Sequence, residues 1–197
     1  KAVSDKDLYH GVVLAFNVRI LPDAEKEIEK RNIKLFLNPV IYSIIEEYSS
    51  WVESERELAE KGEFKSLTPP CNFKVMKGYI FRRSGPAVFG VEVLAGRLRQ
   101  KSEVMNASAK MVGTIRQLQE KGENIDEATE GSEVAVSMDE PIMDRHIHEE
   151  DELFSVPKSD EAKFLLGKFS SRLTTNEVGT LHKIVEIKRK TNPLYAF

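Results

Sequence analysis

Chemistry-bearing side chains are scarce in this chain, whose 197 residues include one cysteine and four histidines. A single thiol, Cys71, excludes an intrachain disulfide and a cysteine-based zinc site, and makes a reducing interior the default surroundings. With no histidine close to it in sequence, Cys71 reads as a small strand residue and not as a nucleophile. Apolar runs stay short of the roughly 18 residues that cross a bilayer, and Lys1 to His10 lacks a signal-peptide core. A cytoplasmic protein with no membrane partner is expected. No glycine-rich loop ends in Gly-Lys-Ser or Gly-Lys-Thr and no Asp-x-x-Gly is present, so the chain has no visible nucleotide site of its own. The one histidine pair, His146 and His148 in DRHIHEEDE, would share a face in a strand, with Glu149 to Glu152 close by. A metal site and an ordinary acidic surface loop both fit that pattern. His10 and His182 stand alone, so nothing couples a nucleophile to a base. Neither a catalytic residue nor a cofactor or metal is assigned to the chain.

What is present is soluble material, 41% hydrophobic and 31% charged, long enough for one or two domains with a real core. The net charge of −3 conceals an asymmetry. Residues 71–119 hold nine Lys or Arg against Glu92 and Glu103, a net of +7. Residues 120–152 hold thirteen acids against Lys121 and Arg145, a net of −11. On one small domain the basic face would steer a polyanion and hold its phosphates, while the acidic side repels it. A charged, solvated surface suited to high salt or heat is the plain alternative.

The pattern along the chain predicts several parts. GVVLAFNV (11–18) and IKLFL (33–37) are strand-like and flank a short helix opened by Pro22, with Asp23 and Glu25 in its first turn. This β-α-β order predicts parallel strands, too few for a complete sheet, so either the chain begins inside a domain or residues 1–9 are the remnant of a larger α/β layer. Asn38 as cap and Pro39 as first residue open a long helix, 39–62. Its first half places Val40, Ile41, Ile44, Ile45, Tyr48, Trp51 and Val52 at helical spacing, whereas ESERELAEK is nearly all charged. At 1.5 Å per residue it would span roughly 35 Å. A helix buried at its start and bare at its end connects two globular parts.

A linker, 63–72, closes with Thr68-Pro69-Pro70. Short strands follow at 73–81, 87–95, 102–106, 110–118, 133–138 and 152–156, with Gly85-Pro86, Gly96, Gly122 and Gly131 at turns. In SEVAVSM, Val134, Val136 and Met138 share one face and Ala135 and Ser137 the other. Six such strands predict a closed antiparallel β-barrel over 73–157. Residues 158–197 then hold two helices and a tail. The first is capped by Ser159 or Asp160 and runs to about Leu173; the second follows a capping box, Thr174 to Glu177, and ends in Lys188, Arg189 and Lys190. Their apolar side chains outnumber what one barrel end needs, so they are read either as core or as the lining of a groove. Arg82 and Arg83, adjacent before a turn, either grip phosphate or cover the barrel. The nearby Phe73, Tyr79, Phe81 and Phe89 are expected mostly in the core.

Together GVVLAFNV, KLFLNPVIYSIIEEY, FRRSGPAVFGVEVLAGRLR, VGTIRQLQEKGENIDEATEGSEVAVSM and EIKRKTNP resemble the C-terminal half of the archaeal and eukaryotic subunit-joining translation initiation factor, a relative of bacterial initiation factor two. The resemblance covers nearly the whole chain. It implies a multidomain α/β plus all-β fold: a partial α/β/α layer, of which residues 1–38 are the C-terminal part, a long connecting helix, and an antiparallel β-barrel of the translational-GTPase second-domain type with two C-terminal helices. It also implies that GTP, Mg and GTPase activity belong to an N-terminal domain outside this chain. By the same resemblance the barrel holds the acceptor end of initiator methionyl-tRNA through loops Gln119 to Asn124 and Gly131 to Ala135, including Gln119, Lys121, Glu133 and Val134. Bacterial relatives are basic in the first loop and carry a cysteine in the second; here Lys121 stands among acids and Val134 replaces the cysteine. The charge count adds Arg82, Arg83, Arg97 and Arg99 as backbone contacts. The family further implies ribosomal subunits as partners, and a dock for the acidic tail of the small initiation factor one-A. Phe164, Leu165, Phe169, Leu181, Ile184 and Val185 would line that dock, with Lys183, Lys188 and Arg189 on its rim. The chain is expected to be monomeric. The alternative is a structural or protein-interaction module with no RNA contact.

Overall fold

The computed structural model describes residues 11–197, so His10 and the rest of 1–10 in the expected α/β part lie outside the described residues. The chain divides into two compact units, 1–64 and 65–197.

In the first unit, β1 (Val12–Phe16), α1 (Pro22–Lys30), β2 (Lys34–Asn38) and α2 (Ile41–Ser66) follow in the expected order. Pro22 opens α1, and the strands pair in parallel with Leu14 opposite Phe36 and Ala15 opposite Leu37. Asn38 does not cap α2 directly: its Oδ1 accepts the Val40 amide at 2.9 Å in a local turn, and the helix begins at Ile41 and runs past Gly62 to Ser66. Phe36 is the centre of this unit, with Tyr48 and Trp51 5.9 and 5.7 Å from its ring and Ile44 buried beside them. The buried face of α2 is narrower than its spacing suggests, because Ile41 and Ile45 stay about half exposed. The charged second half is exposed as expected, and carries the (i, i+4) pair Lys61–Glu57 at 3.5 Å.

The second unit is a closed barrel. Its strands are β3 (Cys71–Arg82), β4 (Ala87–Arg99), β5 (Glu103–Asn106), β6 (Met111–Glu120), β7 (Glu123–Ile125), β8 (Glu127–Thr129), β9 (Glu133–Met138) and β10 (Glu152–Ser155). The order β3-β10-β5-β6-β9-β4 closes by antiparallel pairing of β4 with β3. The short β7 and β8 were not foreseen; they extend β6 and the far end of β4. Gly96, expected at a turn, lies inside β4 at φ +82 against the Pro70 carbonyl. Phe73, Phe89, Leu98, Ile115, Leu118, Met138 and Leu153 fill the core. Cys71 is fully buried among them, and burial followed by the Glu177 carboxylate pushes its thiol pKa far up, so it stays a protonated core residue.

One bulge redirects two aromatics. Cys71, Phe73 and Val75 point inward at alternate positions, but the register breaks between Val75 and Ile80, where Gly78 adopts φ +80. Ile80 is then the next residue packed on the core. β3 advances five residues there while β4 advances two, and this odd slip turns Tyr79 and Phe81 outward, 50% and 63% exposed, where both were expected mostly in the core.

After the barrel, α3 (Ser159–Leu166) stops at Gly167 and a 3₁₀ turn covers Ser170–Arg172, so the first helix is shorter than predicted. In front of α4 (Thr175–Arg189) the capping box is formed: the Thr174 amide donates to Glu177 Oε2 at 2.8 Å and the Glu177 amide to Thr174 Oγ1 at 3.2 Å. The tail folds back, with the Tyr195 hydroxyl donating to the Pro157 carbonyl at 2.6 Å and the Ala196 amide to Ser159 Oγ at 2.9 Å. No helix among the described residues is long and apolar enough to cross a membrane.

Candidate nucleic-acid interface

Strand pairing gathers part of the candidate set on the outer face of one barrel sheet. Gly90 lies opposite Ala135, Ala135 opposite Gln119, and Gln119 opposite Asn124, a row crossing β4, β9, β6 and β7. Three strand spacings of about 4.8 Å make it about 14 Å wide. The next row runs from Arg82 opposite Val88, through Ser137, to Gln117. Gln117 and Gln119 both donate from Nε2 to Asn124 Oδ1, the latter at 2.9 Å. That leaves small and amide side chains in the rows and no charge between Val88 and Asn124. Lys121 and Gly122, with φ +50 and +86, make the two-residue turn joining β6 to β7, and Lys121 is exposed at its tip. Gly131 to Ala135 thus meets the 119–124 hairpin, as the two expected loops would have to. Glu133 is exposed at the start of β9, opposite Glu92. Val134 is a correction: it is 4% exposed and faces the barrel core, so Glu133 and Ala135 carry the outer surface there. Of the residues in these rows, the alternation in SEVAVSM puts Ala135 and Ser137 on one face; that this face is the outer one, and that Gly90, Gln117 and Asn124 join it, comes only from pairing.

The arginines separate into two groups. Arg82, at the end of β3, is exposed and has no ion pair among the described residues, while Arg83 pairs with Asp144. Arg97 and Arg99 do not join them, because they lie nine and eleven residues beyond Val88 along β4, roughly 30 Å of extended strand. Both are committed internally. Arg97 Nε donates to Glu177 Oε1 at 2.6 Å, with Glu127 at 3.7 Å. Arg99 donates to Glu127 Oε2 from Nε and Nη2 at 2.9 and 2.6 Å, and from Nη1 to the Lys65 and Leu67 carbonyls at 2.6 and 3.1 Å. Carboxylates on β8 and α4 satisfy these two cations, which corrects the reading of both as backbone contacts.

The apolar groove expected on the C-terminal helices is corrected as well. Leu165, Phe169, Leu181, Ile184 and Val185 are buried, and only Phe164 is open, at 46%. The rim is also engaged: Lys183 pairs with Glu152 at 3.0 Å, Lys188 Nζ lies 3.3 Å from Met111 Sδ, and Arg189 donates to the Tyr195 and Ala196 carbonyls at 3.0 and 3.2 Å. The tail and the barrel end use up the surplus. His146 and His148 sit in a loop, not a strand; His146 Nδ1 accepts the Ile142 amide at 3.1 Å. No three His, Cys, Asp or Glu among the described residues are grouped to hold a metal ion.

A closed six-stranded barrel followed by two packed helices is an architecture of translational GTPases, and sequence comparison agrees. Residues 69–154 match the family described as Elongation factor Tu domain 4, and residues 1–49 that described as Translation-initiation factor 2. The chain is 42% identical to a probable translation initiation factor IF-2 of Ignicoccus hospitalis, over 98% of this chain and 32% of that protein. It is also 42% identical to the Hyperthermus butylicus protein of the same description, over 100% of this chain and 32% of that one. Its fold matches the crystal structure of GDP-bound aIF5B from Aeropyrum pernix with a TM-score of 0.68 at 38% identity, over 96% of this chain and 32% of that chain. Over nearly its whole length the chain is similar to proteins described as translation initiation factor IF-2, and its fold is like that of the C-terminal part of the archaeal factor aIF5B. It spans about a third of the length of the relatives it matches.

Proposed function

We propose that this chain is the tRNA-binding arm of a translation initiation GTPase that promotes ribosomal subunit joining, and that its barrel holds the acceptor end of initiator methionyl-tRNA. GTP hydrolysis, with GTP and Mg, is assigned to a part of the longer protein outside these residues. The observation that carries the reading is the pairing of Gln119 with Ala135, which brings the 119–124 and 131–135 loops together at two uncharged, amide-bearing rows whose β3 edge holds Arg82. An aminoacyl ester and a ribose offer hydrogen-bonding groups of that kind, while the flanking cation meets the phosphate backbone. Lys121 and Glu133 flank the amino-acid end. Dissociation constants for charged and uncharged initiator tRNA, titrated against salt, test this. The charged form should bind more tightly, and Arg82→Ala should lower the log–log salt slope by roughly 0.7–0.9. Equal binding of both forms, with an unchanged slope in the variant, would overturn it.

A further inference from the structure

The bulge at Gly78 has a chemical result: it presents two aromatic rings to solvent beside the neutral rows. Tyr79 and Phe81 are 50% and 63% exposed and touch edge to face, with centroids 6.4 Å apart. Tyr79 is seated on Gly90, where an added Cβ would come within 2.8 Å of the Tyr79 Cβ and 3.6 Å of Met76 Sδ. Glycine at position 90 therefore lets the ring lie down on β4, at the head of the Gly90–Ala135–Gln119–Asn124 row. We propose that Tyr79 and Phe81 form a stacking platform for the unpaired 3′ nucleotides of the bound RNA; this rests on the acceptor-end reading above.

The charges around the platform favour stacking as its main contribution. Lys74 is paired with Glu150 at 3.4 Å, Arg83 with Asp144, and Glu149 accepts the Gly78 amide at 2.9 Å, while Glu92 lies opposite Lys74. Arg82 and Lys77 are the exposed cations here with no ion pair among the described residues, too few to hold a strand by phosphate contacts alone. A base has a π face whatever its identity, so two rings beside one or two cations suit a single strand better than a duplex. Tyr79 and Phe81 thereby read the unpaired end, and Arg82 the backbone leading to it.

The test uses the 197-residue chain and two RNA hairpins with the same acceptor stem, one ending in four unpaired 3′ nucleotides and one blunt. In fluorescence anisotropy the overhang should tighten binding at least about five-fold. Tyr79→Leu and Phe81→Leu keep apolar bulk without the ring. Each should lose about three-fold or more of the overhang's advantage, leaving blunt-end binding and the salt slope unchanged. Equal wild-type affinity for the two hairpins overturns the platform, as does full overhang binding by both leucine variants; either result is what a protein-docking patch would produce. Arg82→Ala separates the two readings, because an unchanged slope there counts against phosphate contact and leaves the overhang effect standing.

Discussion

Replacing Arg97 with alanine tests whether that arginine holds the fold or holds RNA. Glu177 is 4% exposed at its side chain and takes three roles: it accepts Arg97 Nε at 2.6 Å and the Thr174 amide at 2.8 Å, and its own amide is capped by Thr174. Without Arg97 the carboxylate stays buried with only the capping amide to neutralise it. Removing one partner of a buried pair costs about 3–5 kcal/mol, and the lower end applies because Arg97 keeps 26% of its side chain in water. For the 133 residues of the second unit, an unfolding entropy of about 280 cal/mol/K follows from about 2.1 per residue, so about 3 kcal/mol lowers Tm by about 10 °C. Removing both charges, as Arg97→Met with Glu177→Gln, should cost less than half as much, since no uncompensated charge remains and Glu127 keeps Arg99. Urea unfolding followed by circular dichroism gives both numbers. A cost below about 1 kcal/mol for Arg97→Ala would show that the pair is hydrated and the argument unsound. The double variant should also leave the salt slope of RNA binding where it was; a lower slope would return Arg97 to the phosphate-binding set.

Gly96→Ala should destabilise the barrel by more than about 2 kcal/mol, since its Cβ would fall 2.1 Å from the Pro70 carbonyl oxygen at a φ of +82, and a melt at the wild-type Tm refutes this. Tyr195→Phe should cost about 1 kcal/mol near neutral pH by losing the hydroxyl bond to Pro157. Burial, then the Glu161 and Glu103 carboxylates, raise the Tyr195 pKa above its ordinary 10.0, so its contribution is full below pH 10 and is lost as pH rises beyond it. Stability measured from pH 9 to 11 should therefore fall less steeply in the phenylalanine variant than in the wild type. An acidic peptide ending in bulky aliphatic residues should leave the amides of Leu181 to Val185 unshifted at millimolar concentration, because those side chains are interior; shifts there would mean that the two helices open.

Local patterning determined much of this protein before any tertiary contact. The parallel β1–β2 pair followed from the β-α-β order with Pro22 between the strands, and the Thr174–Glu177 box followed from its spacing. Six alternating strands with turn glycines predicted the closed barrel, and SEVAVSM separated Val136 and Met138 from Ala135 and Ser137. These are properties of neighbours one to four residues apart, which a sequence records directly. Tertiary structure alone decided which side chains were already spoken for. A bulge around Gly78, five residues of β3 against two of β4, reversed the faces of Tyr79 and Phe81, and a period-two pattern carries no sign of where such a slip occurs. Arg97 found Glu177 eighty residues away, and Arg99 found Glu127 and two carbonyls, so charge counting could not tell a paired cation from an open one. The tail from Asn192 onward folds over the start of α3, and the apolar sides of α3 and α4 close on each other and on the barrel, using up the surplus that suggested a groove. Apolar spacing states which face is buried, but what covers it depends on contacts distant in sequence.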